Sequence, residues 1–338
     1  MGKEERLAII SEIEKERGSR VICYLTGDRQ GLEARIGMDI FPFFYNLLSK
    51  VGKQKQIDLF LYSAGGATMA AWGLVNLFRE YCDRFCVLVP FKSHSSATLI
   101  CLGADEILMT PMAQLSPVDP SITSPFNPIL PNQAPGTAPQ FLPVSVEDVS
   151  SYLDLASEAG LKNETTLSGV FSMLSGDVRP LALGSVFRAK QQIKMLSEKL
   201  LGFHMKEKEK IDGIVSKLIR ELYSHDYVIA RSEAKNQIGL KVAAPTAEME
   251  ELMVRLLEQY SEALSLQTPY VADIMLGSDN TKTITFDQAF IESKEGTYVH
   301  RTRKEIKRLR VTQQGLPMEA IQERILQAGW ALEKVKGA

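Results

Sequence analysis

The stretch RFCVLVPFKSHSSATLICLGADEILMT, residues 84–110, decides the architecture. Its first seven residues, 84–90, are β-branched and aromatic and read as a strand. Ser93, His94, Ser95, Ser96 and Thr98 then interrupt the apolar run. Ser95 to Ala104 is apolar nearly all round, which predicts a short buried helix. DEILMT (105–110) returns to the strand pattern. Strand, hydroxyl-rich turn, buried helix and strand follow one another almost without a linker.

The same alternation extends towards the N-terminus. RVICYLT (20–26) predicts a strand, followed by a helical stretch to about Lys50. QIDLFLYS (56–63) predicts a second strand broken at Ala64-Gly65-Gly66, and ATMAAWGLVNLFREY (67–81) carries apolar residues at helical spacing. Short connections between alternating strands and helices predict parallel strands joined by crossover helices. Met69 and Trp72 are expected in the core. The TGDR turn (26–29) reads as a capped turn with a surface ion pair at Asp28 and Arg29.

Downstream, residues 116–143 are rich in Pro, Asn, Ser and Gly, and form a long insert of the kind that carries function or a partner contact. Ser145 with Asp148 three positions on marks a helix start. A long helical region is expected from about Leu181 to Tyr223. Residues 224–242 read as strand, helix and strand, and another helix follows Pro245 to about Leu264. Residues 281–299 are strand-rich. The basic run HRTRKEIKRLR (300–310) reads as a solvated helix face ahead of an interaction patch for a nucleic acid, acidic lipid or partner, and residues 317–334 as a last helix. The expected division is a core over 1–243, containing the insert, and a C-terminal α+β extension over 244–338.

Composition narrows the function. The 338 residues are 45% hydrophobic and 24% charged with a net charge of −2, so a globular core is available and no basic field recruits nucleic acid. The N-terminal MGKEERLAIISEIEKERG reads as an amphipathic helix without a signal core, and Arg6 stands where a myristoylation signal needs Ser or Thr. No apolar run is long enough to span a bilayer, and a cytoplasmic location is expected. The four cysteines read as buried free thiols. The four histidines and four cysteines show no ligand spacing, so no metal or other cofactor is expected.

Two turns carry chemistry. Gly65-Gly66 joins a strand to a helix N-terminus, where backbone N–H groups can face an anion or oxyanion. Ser95, at the start of the buried helix, is either its N-cap or a nucleophile. As a nucleophile it needs donors for the developing oxyanion, and the Ser96 N–H and the glycine corner supply them if the turns are neighbours.

YSAGG followed by SSATLICLGADEILM resembles the Clp protease/crotonase superfamily, and most of all the signal-peptide-peptidase-like serine peptidases of the serine dehydrogenase proteinase family. The resemblance covers roughly residues 20–242 and implies a Clp/crotonase-like α/β fold of stacked β-β-α units, with a helical C-terminal extension. It nominates Ser95, ten residues before Asp105, as the nucleophile, and Gly65, Gly66 and Ser96 as the oxyanion hole. His94 is expected to line the pocket. The base does not transfer from the family pattern: His225 ranks first, and Lys190, Lys194 or Lys162 stand as alternatives. Asp226 falls near the place of the family's triad acid, but adjacent residues on an extended strand face opposite ways, so His225 and Asp226 are not expected to enter one site together. A peptide or protein substrate and a homo-oligomer are implied. An acyl-CoA hydratase or hydrolase of crotonase type, and an inactive scaffold of the same fold, are the rival readings.

Overall fold

Hydrophobic alternation in the first hundred residues is converted into parallel strands, each returned to the sheet by a helix. The computed structural model describes residues 2–118, 121–122, 124–131, 138–222, 224, 226–313 and 316–333. The first elements are α1 (Gly2–Arg17), β1 (Arg20–Thr26), α2 (Phe41–Val51), β2 (Gln54–Tyr62) and α3 (Thr68–Tyr81). Then come β3 (Cys82–Val89), α4 (Ser96–Leu102) and β4 (Glu106–Met109). Four helices follow, α5 (Val146–Glu158), α6 (Glu164–Asp177), α7 (Pro180–Gly202) and α8 (Lys208–Ser216). The C-terminal part holds β5 (Val242–Ala243), α9 (Ala247–Leu264), β6 (Thr281–Ser293), β7 (Gly296–Gln313) and β8 (Leu316–Leu332).

The chain divides into two units, one made of residues 1–115 and 230–338 and the other of residues 116–229. The second unit is therefore longer than the Pro-rich insert, and residues beyond 243 belong with the N-terminal strands. In the first unit, among the described residues, eight strands form one sheet in the order β5-β4-β3-β2-β1-β6-β7-β8. β1 to β5 pair in parallel, and β6 joins β1 antiparallel and carries β7 and β8. This is an α/β fold with a large mixed sheet.

Alternation along each strand assigns the two faces. Val21, Cys23 and Leu25 of β1 pack with Phe60 and Tyr62 of β2 under α1 and α9, whose Ile9, Ile10, Ile13, Met253 and Tyr260 complete that core. Tyr24 points the other way, edge-on to Phe44 of α2 at 5.3 Å, and Phe44 and Phe85 stack on Phe78 of α3. A fully buried ion pair ties the N-terminal helix to the C-terminal strands. Glu292 receives the Arg6 guanidinium at 2.7 Å, the Tyr260 hydroxyl at 2.6 Å and the Thr297 hydroxyl at 2.7 Å. A second Arg6 N–H reaches the other Glu292 oxygen at 3.1 Å, so the carboxylate accepts four hydrogen bonds, which is the condition for keeping a charge in a core.

In the second unit, Ser145 caps α5 by accepting the Glu147 and Asp148 N–H groups, as expected. The long helical region is broken after Gly202 and resumes at Lys208. Short antiparallel pairing joins 121–122 to 144–145, so the Pro-rich stretch is closed at its base.

Several expectations are corrected here. Residues 27–37 are irregular and the helix starts only at Phe41, because Gly27 N–H bonds to Gln288 O and Ala34 N–H bonds back to Gly27 O. The basic run 300–310 is strand, since Thr302, Lys304 and Ile306 are buried and the residues between them are not: a period of two. Residues 316–332 are strand as well, paired along β7 from Leu332 opposite Tyr298 to Leu316 opposite Gln313. Helix-forming Ala, Glu, Gln and Leu yield there to a continuous ladder of tertiary bonds. The C-terminal extension is accordingly strand-rich, not mainly helical. Met69 is 44% exposed, and Arg29 is buried, its guanidinium over the Tyr270 ring, so neither sits as the sequence suggested.

Two outcomes test this packing. Burial pushes the Cys82 thiol up to about 11 and the Cys86 and Cys101 thiols up to about 12, and raises Cys23 further. Native protein therefore leaves all four thiols unreacted with iodoacetamide at pH 8, while denatured protein reacts at all four, counted by mass. Glu292→Ala strands the Arg6 charge and lowers stability by about 3–5 kcal/mol, measured as a lower urea midpoint.

Candidate active site

The site is built where parallel strands end. β2 and β3 run in register, and their pairing continues past the strands as a parallel bridge between Ser63 and Ser93. Ser63 N–H bonds Lys92 O at 3.0 Å, and His94 N–H bonds Ser63 O at 3.0 Å. The two turns that follow are therefore neighbours. A Cβ placed on Gly65 would lie 2.8 Å from His94 O, 2.8 Å from Ser95 Cβ and 3.3 Å from Ser95 Oγ, so only glycine lets the corner lie against the serine.

Ser95 is the one non-glycine residue of this region with a left-sided backbone, at φ 53° and ψ −118°. That conformation costs about 1–3 kcal/mol and persists only where the surroundings impose it. Here they do: residues 93–94 are pinned to Ser63, and α4 begins at once, with Leu99 N–H on Ser95 O at 3.2 Å. Ser95 makes no side-chain capping bond to α4, so the capping role is not what holds it there. Of the hydroxyls in the turn, Ser93, Ser96 and Thr98 are fully buried and Ser95 is half-exposed. Ser93 Oγ meets Cys101 Sγ at 3.2 Å and Thr98 bonds Ser93 O at 2.7 Å, both inward.

The donors sort in the same way. Gly65 N–H is committed to Ser63 Oγ at 3.0 Å. Ile36 N–H bonds Gly65 O at 2.9 Å and Ala67 N–H bonds Ile36 O at 2.8 Å, so residue 36 closes the corner from outside. The Gly66 and Ser96 N–H groups make no hydrogen bond among the described residues. Two unspent donors at the start of α3 and α4, next to a strained and reachable serine, form an arrangement that can hold a developing oxyanion.

Asp105 has a structural part. Its carboxylate takes the Arg79 guanidinium at 2.7 Å and the Phe85 N–H at 2.8 Å, which fixes α3 and the start of β3. Its own N–H bonds Phe85 O at 2.7 Å. The ten residues from Ser95 to Asp105 are thus the length of one short helix and the return to the sheet. On the opposite side of β2, Asp28 accepts the Tyr62 hydroxyl at 2.8 Å and pairs with Lys92, tying the ends of β1, β2 and the turn after β3.

The structure brings Gly65, Gly66, His94, Ser95 and Ser96 together. The base candidates are carried by the span of the second unit. His225 lies outside the described residues. Asp226 is exposed in a turn, its N–H on Ser224 Oγ at 3.3 Å. Lys190 donates to Ser150 Oγ at 2.6 Å and, with Lys194, Asp212 and Ser216, lines a cavity of about 250 Å³. Lys194 pairs with Glu198, and Lys162 is exposed. Ser63, Thr26 and Ile36 were not singled out from sequence. Ser63 stood in the quoted YSAGG, and only the pairing of strands reveals what its hydroxyl touches.

A prediction follows from the corner. A Cβ on Gly66 would lie 2.3 Å from Ile36 O and 2.5 Å from Ile36 N, backbone atoms that cannot step aside. Gly66→Ala therefore opens the corner, seen as a lower melting temperature together with loss of any Ser95-dependent reaction.

The family model for the ClpP-like SDH-type serine proteinase matches residues 2–132. Two uncharacterized proteins of Methanocaldococcus jannaschii are 32% identical over 126 residues and 31% identical over 125 residues. Each alignment covers 35% of this chain, and the chain spans 42% and 43% of the length of these curated relatives. Among solved structures, the 1510-N membrane-bound stomatin-specific protease, as an alanine mutant with a substrate peptide, overlaps with a TM-score of 0.37 at 14% identity, covering 64% of this chain and 73% of that one. ClpP1 from Listeria monocytogenes overlaps with a TM-score of 0.37 at 12% identity, covering 70% and 98%. Among the described residues no helix is long and apolar enough to cross a membrane. The likeness read from the two turns is thereby shown for residues 2–132, which match the ClpP-like SDH-type serine proteinases.

Proposed function

We propose that the protein is a serine hydrolase acting on amide bonds of peptides, with Ser95 as nucleophile and the Gly66 and Ser96 N–H groups as oxyanion hole. One observation carries the reading: Ser95 alone among the hydroxyls of its turn is reachable, and it is held at positive φ against Gly65. A strained turn between strand and helix presents an Oγ clear of its own backbone.

The chemistry follows from those positions. Ser95 Oγ bonds to the substrate carbonyl carbon and gives its proton to a general base. The carbonyl oxygen takes the electron pair and is held by the two N–H groups. Collapse expels the amine, which leaves with the proton, and water repeats the sequence on the acyl-enzyme. His225 is the first candidate for the base, because neutral imidazole is best matched to proton transfer near pH 7. Lys190 is the alternative base, and Asp226 is a candidate triad acid that an extended strand would not bring into one site with His225. His94 is a pocket residue in this reading. Assembly into a homo-oligomer is part of the same proposal, supported by the ClpP-like description of the matched family.

A fluorophosphonate probe tests the nucleophile. Native protein is expected to label on Ser95 and Ser95→Ala to stay unlabelled while folded. Equal labelling of the variant would remove Ser95 from the chemistry, and a Ser95-independent acyl-CoA activity would favour the crotonase-type reading. Turnover of the His225→Ala and Lys190→Ala variants then separates the bases: loss of the true base lowers kcat by roughly 10²–10⁴ and removes the corresponding limb of the pH profile.

A further inference from the structure

Resting on that reading of the Ser95 site, we infer that Ser63 is a positioning residue whose buried hydroxyl aims the Gly66 N–H at the oxyanion, with Thr26 holding the hydroxyl. Ser63 is fully buried, and every polar group it has is bonded. Its N–H and carbonyl make the bridge to Lys92 and His94. Its Oγ lies 2.7 Å from Thr26 Oγ1 at the end of β1, itself buried, and accepts the Gly65 N–H at 3.0 Å. One side chain thus joins the ends of β1 and β2, the glycine corner and the nucleophile turn.

The consequence lies in the next peptide plane. The bond from Gly65 N–H to Ser63 Oγ is a serine turn, which sets the orientation of Gly65. Gly65 O is then presented to Ile36 N–H at 2.9 Å. Peptide planarity places the Gly66 N–H opposite to that carbonyl. It therefore points away from Ile36, and it makes no bond among the described residues. Gly65 and Gly66 sit at φ 100° and 154°, where glycine meets no Cβ barrier to turning over. Nothing in the glycines themselves keeps this plane upright. The Ser63 hydroxyl at one end and Ile36 at the other do so.

Thr26 is the outer half of the latch. Ser63 Oγ can accept from Gly65 and still share one proton with Thr26, so the pair is satisfied without water. Removing either hydroxyl leaves a buried partner short of a bond and frees the Gly65 plane.

The test compares Ser63→Ala, Thr26→Val and Thr26→Ser with native protein, reading inactivation by a fluorophosphonate probe as separate kinact and KI, alongside thermal melting. In Ser63→Ala, kinact is expected to fall by about tenfold to a hundredfold, below the roughly 10²–10³ lost when an oxyanion donor is removed outright, with KI unchanged. Thr26→Val keeps the shape and loses the hydroxyl, and should fall by a smaller factor. Thr26→Ser keeps the hydroxyl and should stay near native. Ser63→Ala that melts earlier yet reacts at the native kinact would overturn the inference, leaving Ser63 a structural residue. Should Ser63→Ala fail to fold, the two Thr26 variants decide, and equal kinact in both overturns it. Native protein that does not label at all removes the Ser95 reading first, and the inference with it.

Discussion

The parallel register between β2 and β3 is the constraint on which the rest of the site depends. Two backbone bonds at Ser63 carry that register one step past the strands. From there Gly65-Gly66 must pass beside Ser95, and both helices must start side by side. Ligands of open α/β sheets bind at such carboxyl ends because strand ends converge there and helix N-termini offer unspent donors. In this protein the convergence is close enough that a single added methyl at residue 65 would clash with the serine.

Such a site stores strain, and the unit that holds it is heavily tied. Ser95 at positive φ and two glycines pressed against neighbouring backbone are unfavourable locally. They are opposed by strands β1 to β3, packed under helices on both faces, and by polar clamps that leave little slack. Glu292 binds α1, α9 and β7 through Arg6, Tyr260 and Thr297. Asp58, fully buried, takes the Arg17 guanidinium and the Ser19 hydroxyl at the opposite end of the strands. Asp28 and Lys92 clamp the end nearest the site. The Asp58 and Asp28 clamps tie the N-terminal strands to one another, and the Glu292 clamp ties the N-terminal helix to the C-terminal strands.

The alternating part of the chain was legible because burial on both faces of a parallel strand leaves a plain apolar run, as in residues 20–26 and 84–90. The helix start at Ser145 was legible for a local reason, a side chain capping N–H groups two and three residues away. Residues 316–332 were not, because their composition favours a helix and the decision rests on the ladder with β7. Residues 300–310 carried the period of two, yet their charge content hid it: Lys304 is buried by stretching its stem between Gly31 O and Glu323. The candidate nucleophile was legible only through the family resemblance, whose pattern sets it ten residues before Asp105.

By itself the sequence determined the strand–helix order of residues 20–110, the hydroxyl-rich turn and the glycine corner, since each depends on residue type at a local position. Tertiary structure alone decided which hydroxyl is exposed, which N–H groups are left unspent, and which face of the chain residues 296–332 would complete. Those outcomes depend on bonds between residues far apart in the chain: Ser63 to Lys92 and His94, Ile36 to Gly65, Arg6 to Glu292. Four similar hydroxyls in one turn are equivalent in composition. They are made different only by the strand that pairs beside them.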